Sequence, residues 1–239
     1  MSNAILANQR QLFGHPLGLY VCFFTEMWER FAFYGLKALL FLYLTKHHAF
    51  SDNNGYLLLG TYAGLAYALP VVGGLLADQY LGMRKAVTFG GILMAVGMLG
   101  MAYTGQAATP EGGADAVAIQ IMYASLALVA VGVGFLKPNI STIVGRLYED
   151  NDPRRDSAFT VFYMGINLGA LAASLIVGGV GEIYGWGYGF SLAGIGLLTG
   201  FVVFVKNKAH LMGQGESAHP ELLEQRVWGL RRETLIYVL

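Results

Sequence analysis

Six apolar stretches, each about as long as a helix needs to cross a bilayer, leave this chain of 239 residues few folds to choose from. Hydropathy and helical periodicity place them at Leu17–Thr45, Gly55–Ala77, Ala86–Thr104, Ala116–Gly145, Ser157–Val180 and Gly189–Val205. In lipid every backbone polar group must be paired inside the protein, so such stretches are expected as helices. Pro16 stands at the first helix start, where its missing N–H costs nothing, and Lys206-Asn207-Lys208 stops the sixth. Composition points the same way, with 55% hydrophobic residues, 13% charged residues and a mean hydropathy of +0.52. The predicted fold class is an all-α membrane protein, a six-transmembrane-helix bundle.

Charge excludes some functions and orients the chain. A formal net charge of zero gives a nucleic-acid partner no electrostatic support. Cys22 is the single cysteine and lies within the first stretch, so no internal disulfide can form. The polar start, Ser2 to Gln11, is expected to lack a cleavable leader. With the N-terminus in the cytoplasm, Arg10, Arg84, Lys85, Arg146, Arg154, Arg155, Lys206, Lys208, Arg226, Arg231 and Arg232 fall inside and Lys46 alone outside. That asymmetry predicts cytoplasmic ends on both sides of the bundle. Residues 1–16 then form a cytoplasmic start, 17–205 the bundle and 206–229 a polar cytoplasmic linker. Apolar character resumes at Trp228 and Leu230, so 230–239 is expected to begin a further helix of a longer protein.

The first stretch carries charges where a bilayer penalises them most, by roughly 2.5–3.5 kcal/mol per group on insertion scales. Its middle reads Glu26-Met27-Trp28-Glu29-Arg30, with Lys37 two turns on. At 3.6 residues per turn, Glu26, Glu29, Arg30, Phe33, Tyr34 and Lys37 share one face of about 140°. Glu26 and Arg30 are i, i+4 neighbours with the acid first, the favourable order. The fourth stretch adds Lys137, followed by Pro138, which removes an N–H and should kink the helix. Within the spans two acids thus face three bases, Arg30, Lys37 and Lys137. Tyr163 and Asn167 on the fifth stretch, and Tyr62 and Tyr67 on the second, offer uncharged polar groups at similar depth. Gly60-x3-Gly64, Gly165-x3-Gly169 and Gly196-x3-Gly200 provide small faces for close helix contact.

Three motifs together carry a family resemblance. Gly74-Leu-Leu-Ala-Asp78-Gln-Tyr-Leu-Gly82-Met-Arg84-Lys85 resembles the cytoplasmic loop signature of the major facilitator superfamily. Physically it is a tight turn whose aspartate can pair with basic groups. Glu26-x-x-Glu29-Arg30-Phe31-x-Phe33-Tyr34-Gly35 resembles the first-helix motif of the proton-dependent oligopeptide transporter family. Phe135-Leu136-Lys137-Pro138-Asn139-Ile140-Ser141 and Phe162-Tyr163-Met164-Gly165-Ile166-Asn167-Leu168-Gly169-Ala170 resemble its fourth- and fifth-helix signatures. The resemblance covers roughly residues 14–205. It implies the N-terminal half of a major facilitator fold, completed by a second six-helix bundle and often two extra helices between the halves. It further implies an alternating-access symporter that imports di- and tripeptides with protons across a bacterial inner membrane, with no cofactor beyond the coupling proton and no metal. Carried over by position, Glu26, Glu29, Arg30 and Lys137 would couple protons, Lys137 pairing with a glutamate in one state. Tyr34, Lys37, Tyr67, Lys137 and Asn167 would bind the peptide, and Gly74, Asp78, Gly82 and Arg84 would form the conformational loop.

Two positions depart from the family pattern. Lys37 stands where peptide-transporting members have arginine, and a lysine cannot grip a carboxylate through two parallel N–H donors. Phe33 replaces a common tyrosine and takes a hydroxyl off the stripe. A transporter of nitrate, a drug or a sugar therefore stays open as the alternative, and an ion channel or structural subunit as a more distant one. No GxSxG, HExxH, CxxC or Walker pattern supports an enzyme. His47 and His48, near Asp52, read as a solvated pair in the outer loop, and the Asn139-Ile140-Ser141 sequon lies inside a span.

Overall fold

Long helices occupy all six expected stretches of the chain, a computed structural model that describes residues 10–217, 220–227 and 230–238. The expectations for residues 1–9, Trp228 and Leu239 lie outside the described residues. Helix α1 spans Leu17–Leu42 and α2 Asp52–Leu76, while α3 runs from Met83 to Met101 and α4 from Ala116 to Arg146. The fifth span starts as α5, Arg154–Ala172, and finishes as α6, Gly178–Tyr184. The sixth is α7, Trp186–Lys206. Wider i→i+5 turns close α1 at Tyr43–His47, close α2 at Ala77–Leu81 and join α5 to α6 at Ala173–Val177. Among the described residues, five spans are long and apolar enough to cross a membrane by length and composition. Helix α1 has the length, with 26 residues, but carries Glu26, Glu29, Arg30 and Lys37.

Local chemistry sets the ends. Pro16 precedes α1 with an extended backbone, ψ 144°. Ser51 caps α2 by accepting from the Asn54 N–H at 3.3 Å. Asp115 caps α4 by accepting from the Val117 and Ala118 N–H groups, each at 3.0 Å, and from that of Gln106 at 3.2 Å. Those backbone donors, Ala118 foremost, hold its carboxyl below the usual carboxylate range. The cap therefore stabilises α4 fully above the ordinary carboxylate pKa and weakens as pH falls through the lowered one. Gly185, at φ +117°, supplies the left-handed backbone that turns α6 into α7 with no loop between them.

Each triplet of spans lends its first helix to the other. Helix α1 packs chiefly on α5 and α7, whereas α4 packs on α2 and α3, and α3 closes the ring against α7. Small residues permit these approaches. A methyl group on Gly73 of α2 would fall on the Gly134 carbonyl of α4, and one on Gly169 of α5 on the Met27 carbonyl of α1. Gly196 and Gly200 of α7 receive Trp28. Gly60 and Gly64, by contrast, have nothing within 4 Å and pack on nothing in the bundle. Replacing Gly73 by Ala should thus force α2 and α4 apart and cost about 1–3 kcal/mol. Gly60→Ala should be neutral or stabilising, by about 0.5–1 kcal/mol. Thermal unfolding of the two variants in detergent tests the contrast, and equal melting temperatures would refute this packing.

Two regions differ from expectation. His48 is not solvated: it is 2% exposed, edge-on to Tyr43 at 4.7 Å and to His47 at 4.8 Å. The wider turn at Tyr43–His47 carries α1 far enough to tuck both rings under the neighbouring loop, where His47 Nε2 lies 2.9 Å from the Thr104 carbonyl. Burial then pushes the His48 imidazole below its ordinary pKa. The stretch after α7 also folds back on the bundle. It forms two short helices, α8 (Pro220–Glu224) and α9 (Arg232–Val238), the latter at the place expected to begin a further helix. The Gly215 carbonyl accepts from the Arg84 N–H at 2.8 Å, and Leu223 is buried with Ala77, Leu81, Ala86 and Phe135.

Candidate functional site

The charged face of α1 is turned into the bundle. Glu26, Glu29 and Arg30 are 2%, 0% and 3% exposed. Arg30 Nε lies 3.0 Å from Glu26 Oε1 and in direct contact with Glu29 Oε2. One guanidinium thus serves two carboxylates, and with both ionised the triad keeps one surplus negative charge. Around it the chain is apolar. Phe33 covers Arg30, whose guanidinium carbon is 5.2 Å from the ring centre, and Tyr62 of α2 stands 6.1 Å from Phe33. The Tyr62 hydroxyl is buried and has no hydrogen-bond partner among the described residues. The sequence offers Tyr62 as a polar group but does not reveal that it closes over the triad, since nothing in α2 alone says which side meets α1.

Lys137 does not join this network as an ion pair. Among the described residues no carboxylate lies within ion-pairing distance of it. Its ammonium sits instead 5.1 Å from the ring centre of Tyr67. The pairing of Lys137 with a glutamate implied for one state is not formed here, where Arg30 on the same helix as the acids contacts both. Lys137 remains near enough for its charge to act on both Glu26 and Glu29. Next to it, Asn139 donates to the Phe135 carbonyl at 2.7 Å and reaches the Gly73 carbonyl at 3.4 Å. That bridge braces α4 against α2 beside Pro138, where one helix N–H is missing.

The remaining binding candidates line an open side. The apolar windows of α2 and of the α5–α6 span are only 17% and 28% buried, against 50%, 44% and 44% for α3, α4 and α7. These two least-covered spans carry Tyr67, Tyr163 and Asn167, all exposed. Lys137 and Tyr34 are half-buried. So is Lys37, whose ammonium lies 5.8 Å from the Phe33 ring and 6.0 Å from Tyr34. Phe33 therefore stands between the paired Arg30 and Lys37, a cation in no ion pair among the described residues. The structure brings Lys137 to Tyr67 and Lys37 to Tyr34. Asn167 stays apart from both pairs and donates to the Tyr163 carbonyl of its own helix at 3.0 Å.

Gly74, near the end of α2, is placed so that a methyl group on it would meet Pro138 at 3.8 Å, and Gly82, in the turn to α3, takes φ +75°. Asp78 is exposed and makes no ion pair among the described residues, contrary to the pairing expected for it. The terminal segment supplies the acids instead, with Glu216 on Arg84 at 2.5 Å and Glu233 on Lys85 at 2.6 Å.

Known proteins share this architecture. The family model PTR2, described as the POT family, matches residues 84–219. The uncharacterized transporter YclF of Bacillus subtilis (strain 168) is 40% identical over 223 residues, 91% of this chain and 43% of that protein. The di-/tripeptide transporter of Lactococcus lactis subsp. lactis (strain IL1403) is 40% identical over 198 residues, 80% of this chain and 37% of that one. Among solved structures, the peptide transporter POT in complex with sulfate superposes with a TM-score of 0.81 at 39% identity, over 91% of this chain and 43% of that one. A POT family transporter in complex with 5-aminolevulinic acid gives 0.80 at 31% identity, over 96% and 45%. The chain thus spans less than half the length of the relatives it matches. With its long helices in the same arrangement and a family match over more than half its residues, this chain belongs to the POT family.

Proposed function

We propose that the full-length protein imports di- and tripeptides together with protons, and that this chain is the bundle holding the proton site. The observation that carries the reading is the buried triad, in which two carboxylates share one guanidinium beneath a side lined by Lys137, Lys37, Tyr34 and Tyr67. A surplus negative charge in a low-dielectric interior is costly. It can be neutralised by a proton on a glutamate or by the approach of Lys137. These two solutions exclude each other, so taking up a proton frees Lys137, and losing it draws the lysine back to the acids.

A freed Lys137 and the unpaired Lys37 are then available to a peptide C-terminal carboxylate, while Tyr34, Tyr67 and Asn167 offer hydrogen bonds to its backbone. A second bundle closing over the α2 and α5 side would complete the cavity at the bilayer midplane, about which the two halves rock. The Lys/Arg-rich end of the bundle faces the cytoplasm in this reading, within a bacterial inner membrane. Peptide relatives in the family and peptide-transporter structures at 36–39% identity support the substrate class.

Uptake of a labelled dipeptide by the full-length protein in proteoliposomes tests the proposal. Accumulation above the external concentration is expected with an inward proton gradient, and equilibration without it. Accumulation that ignores the gradient would refute proton coupling, and gradient-driven uptake of nitrate or a sugar with no dipeptide uptake would refute the substrate class.

A further inference from the structure

A cavity at the Lys/Arg-rich end of the bundle is lined by none of the triad residues. It measures about 700 Å³ and sits between the start of α3, the end of α7 and the terminal segment. Its rim holds three cations, Arg84, Lys85 and Lys208, against two acids, Glu216 and Glu233. Its wall is apolar. Phe89 and Ile92 run about two turns down α3, and Val205 faces them from α7. Ile92 and Val205 are 45% and 37% exposed, on the outer surface where α3 meets lipid. Charge at the mouth and an apolar wall leading into the membrane make the two parts of one amphipathic site.

We propose that this cavity binds an anionic phospholipid, with the phosphate among Arg84, Lys85 and Lys208 and an acyl chain along Phe89, Ile92 and Val205. Basic pockets at the cytoplasmic border of a membrane protein are suited to anionic head groups. The rim carries one positive charge more than negative, and Lys208 forms no ion pair among the described residues. The acids already present are replaceable. The Glu216 side chain is 66% exposed and Lys85 is 48% exposed, so both ion pairs are of the weak, solvent-screened kind. A phosphate entering the rim displaces these carboxylates from Arg84 and Lys85. The lipid phosphate therefore competes with Glu216 and Glu233 for the rim, and its chain runs beside Tyr237, whose ring is 4.7 Å from Phe89.

The experiment is native mass spectrometry of the full-length protein in detergent, offered equimolar phosphatidylglycerol and phosphatidylcholine. Wild type should retain phosphatidylglycerol preferentially. Lys208→Gln should lower that preference roughly fivefold, the scale on which a basic residue counts near an anionic membrane, and Lys208→Arg should keep it. Inorganic phosphate in excess should not displace the lipid, because it lacks the chain that fills the apolar wall. Equal retention of the two lipids, an unchanged preference in Lys208→Gln, or displacement by inorganic phosphate would each overturn the proposal. Lys208 lies outside the triad and the peptide side, so dipeptide uptake by Lys208→Gln separates a failure here from a failure of the transport reading.

Discussion

Full-length protein carrying Glu29→Gln should lose the ability to concentrate a dipeptide against its gradient while still exchanging it across the membrane. An inward gradient of one pH unit stores about 1.4 kcal/mol per proton, enough for about tenfold accumulation. The variant should fall to equal concentrations inside and out. The physical ground is the triad. Glu29 is fully buried on Arg30 and shares that cation with Glu26. A glutamine has the shape of a protonated glutamate but cannot release the proton, so the surplus negative charge never forms and Lys137 is never drawn back toward α1. Exchange needs no net proton movement and should survive. The change also removes a buried charge without a cavity, so the melting temperature should hold or rise. Retained accumulation in Glu29→Gln would show that this carboxylate takes no part in coupling.

How far the sequence foretells this site depends on what one helix can encode. The stripe on α1 is legible because helical periodicity alone places Glu26, Glu29, Arg30, Phe33, Tyr34 and Lys37 on one face. The six spans are legible because length and hydropathy leave little choice in lipid. What one helix cannot encode is how neighbouring helices rotate against it. The family resemblance pairs Lys137 with a glutamate in one state, whereas here its ammonium lies over Tyr67 of α2. The i, i+4 arginine has a covalent advantage that no lysine on another helix can match. Asp78 fails for a related reason, since the acids that meet Arg84 and Lys85 come from Glu216 and Glu233, more than a hundred residues on. His48 escapes a reading by pattern because its exposure depends on whether the first span stops at Thr45 or continues as a wider turn to His47. The small-residue motifs divide in the same way. Gly169 and Gly196 pack against α1, but Gly60 and Gly64 meet nothing, and their spacing looks alike in the sequence.

Arg30→Ala should be the most destabilising single change in the bundle. Removing one partner of a buried ion pair costs about 3–5 kcal/mol, since the charge left behind has neither water nor a counterion. Here two carboxylates are left behind at once, facing each other beneath Phe33 and Tyr62. A proton on one glutamate relieves part of the repulsion but leaves the space of the guanidinium empty. Arg30→Lys should fall between, because an ammonium is a point charge that satisfies one carboxylate well and lacks the planar fork that reaches two. The combined Glu26→Gln, Glu29→Gln, Arg30→Met variant should recover most of the lost stability, as buried ion networks often tolerate replacement by uncharged groups of similar size. It should nonetheless fail to couple uptake to protons. Melting temperatures of the full-length variants in one detergent give the order wild type, combined variant, Arg30→Lys, Arg30→Ala. That order separates a triad kept for transport from one kept for folding. If the fold needed these charges for themselves, the uncharged combination would unfold with Arg30→Ala instead of beside the wild type, and the proton reading would lose its physical basis.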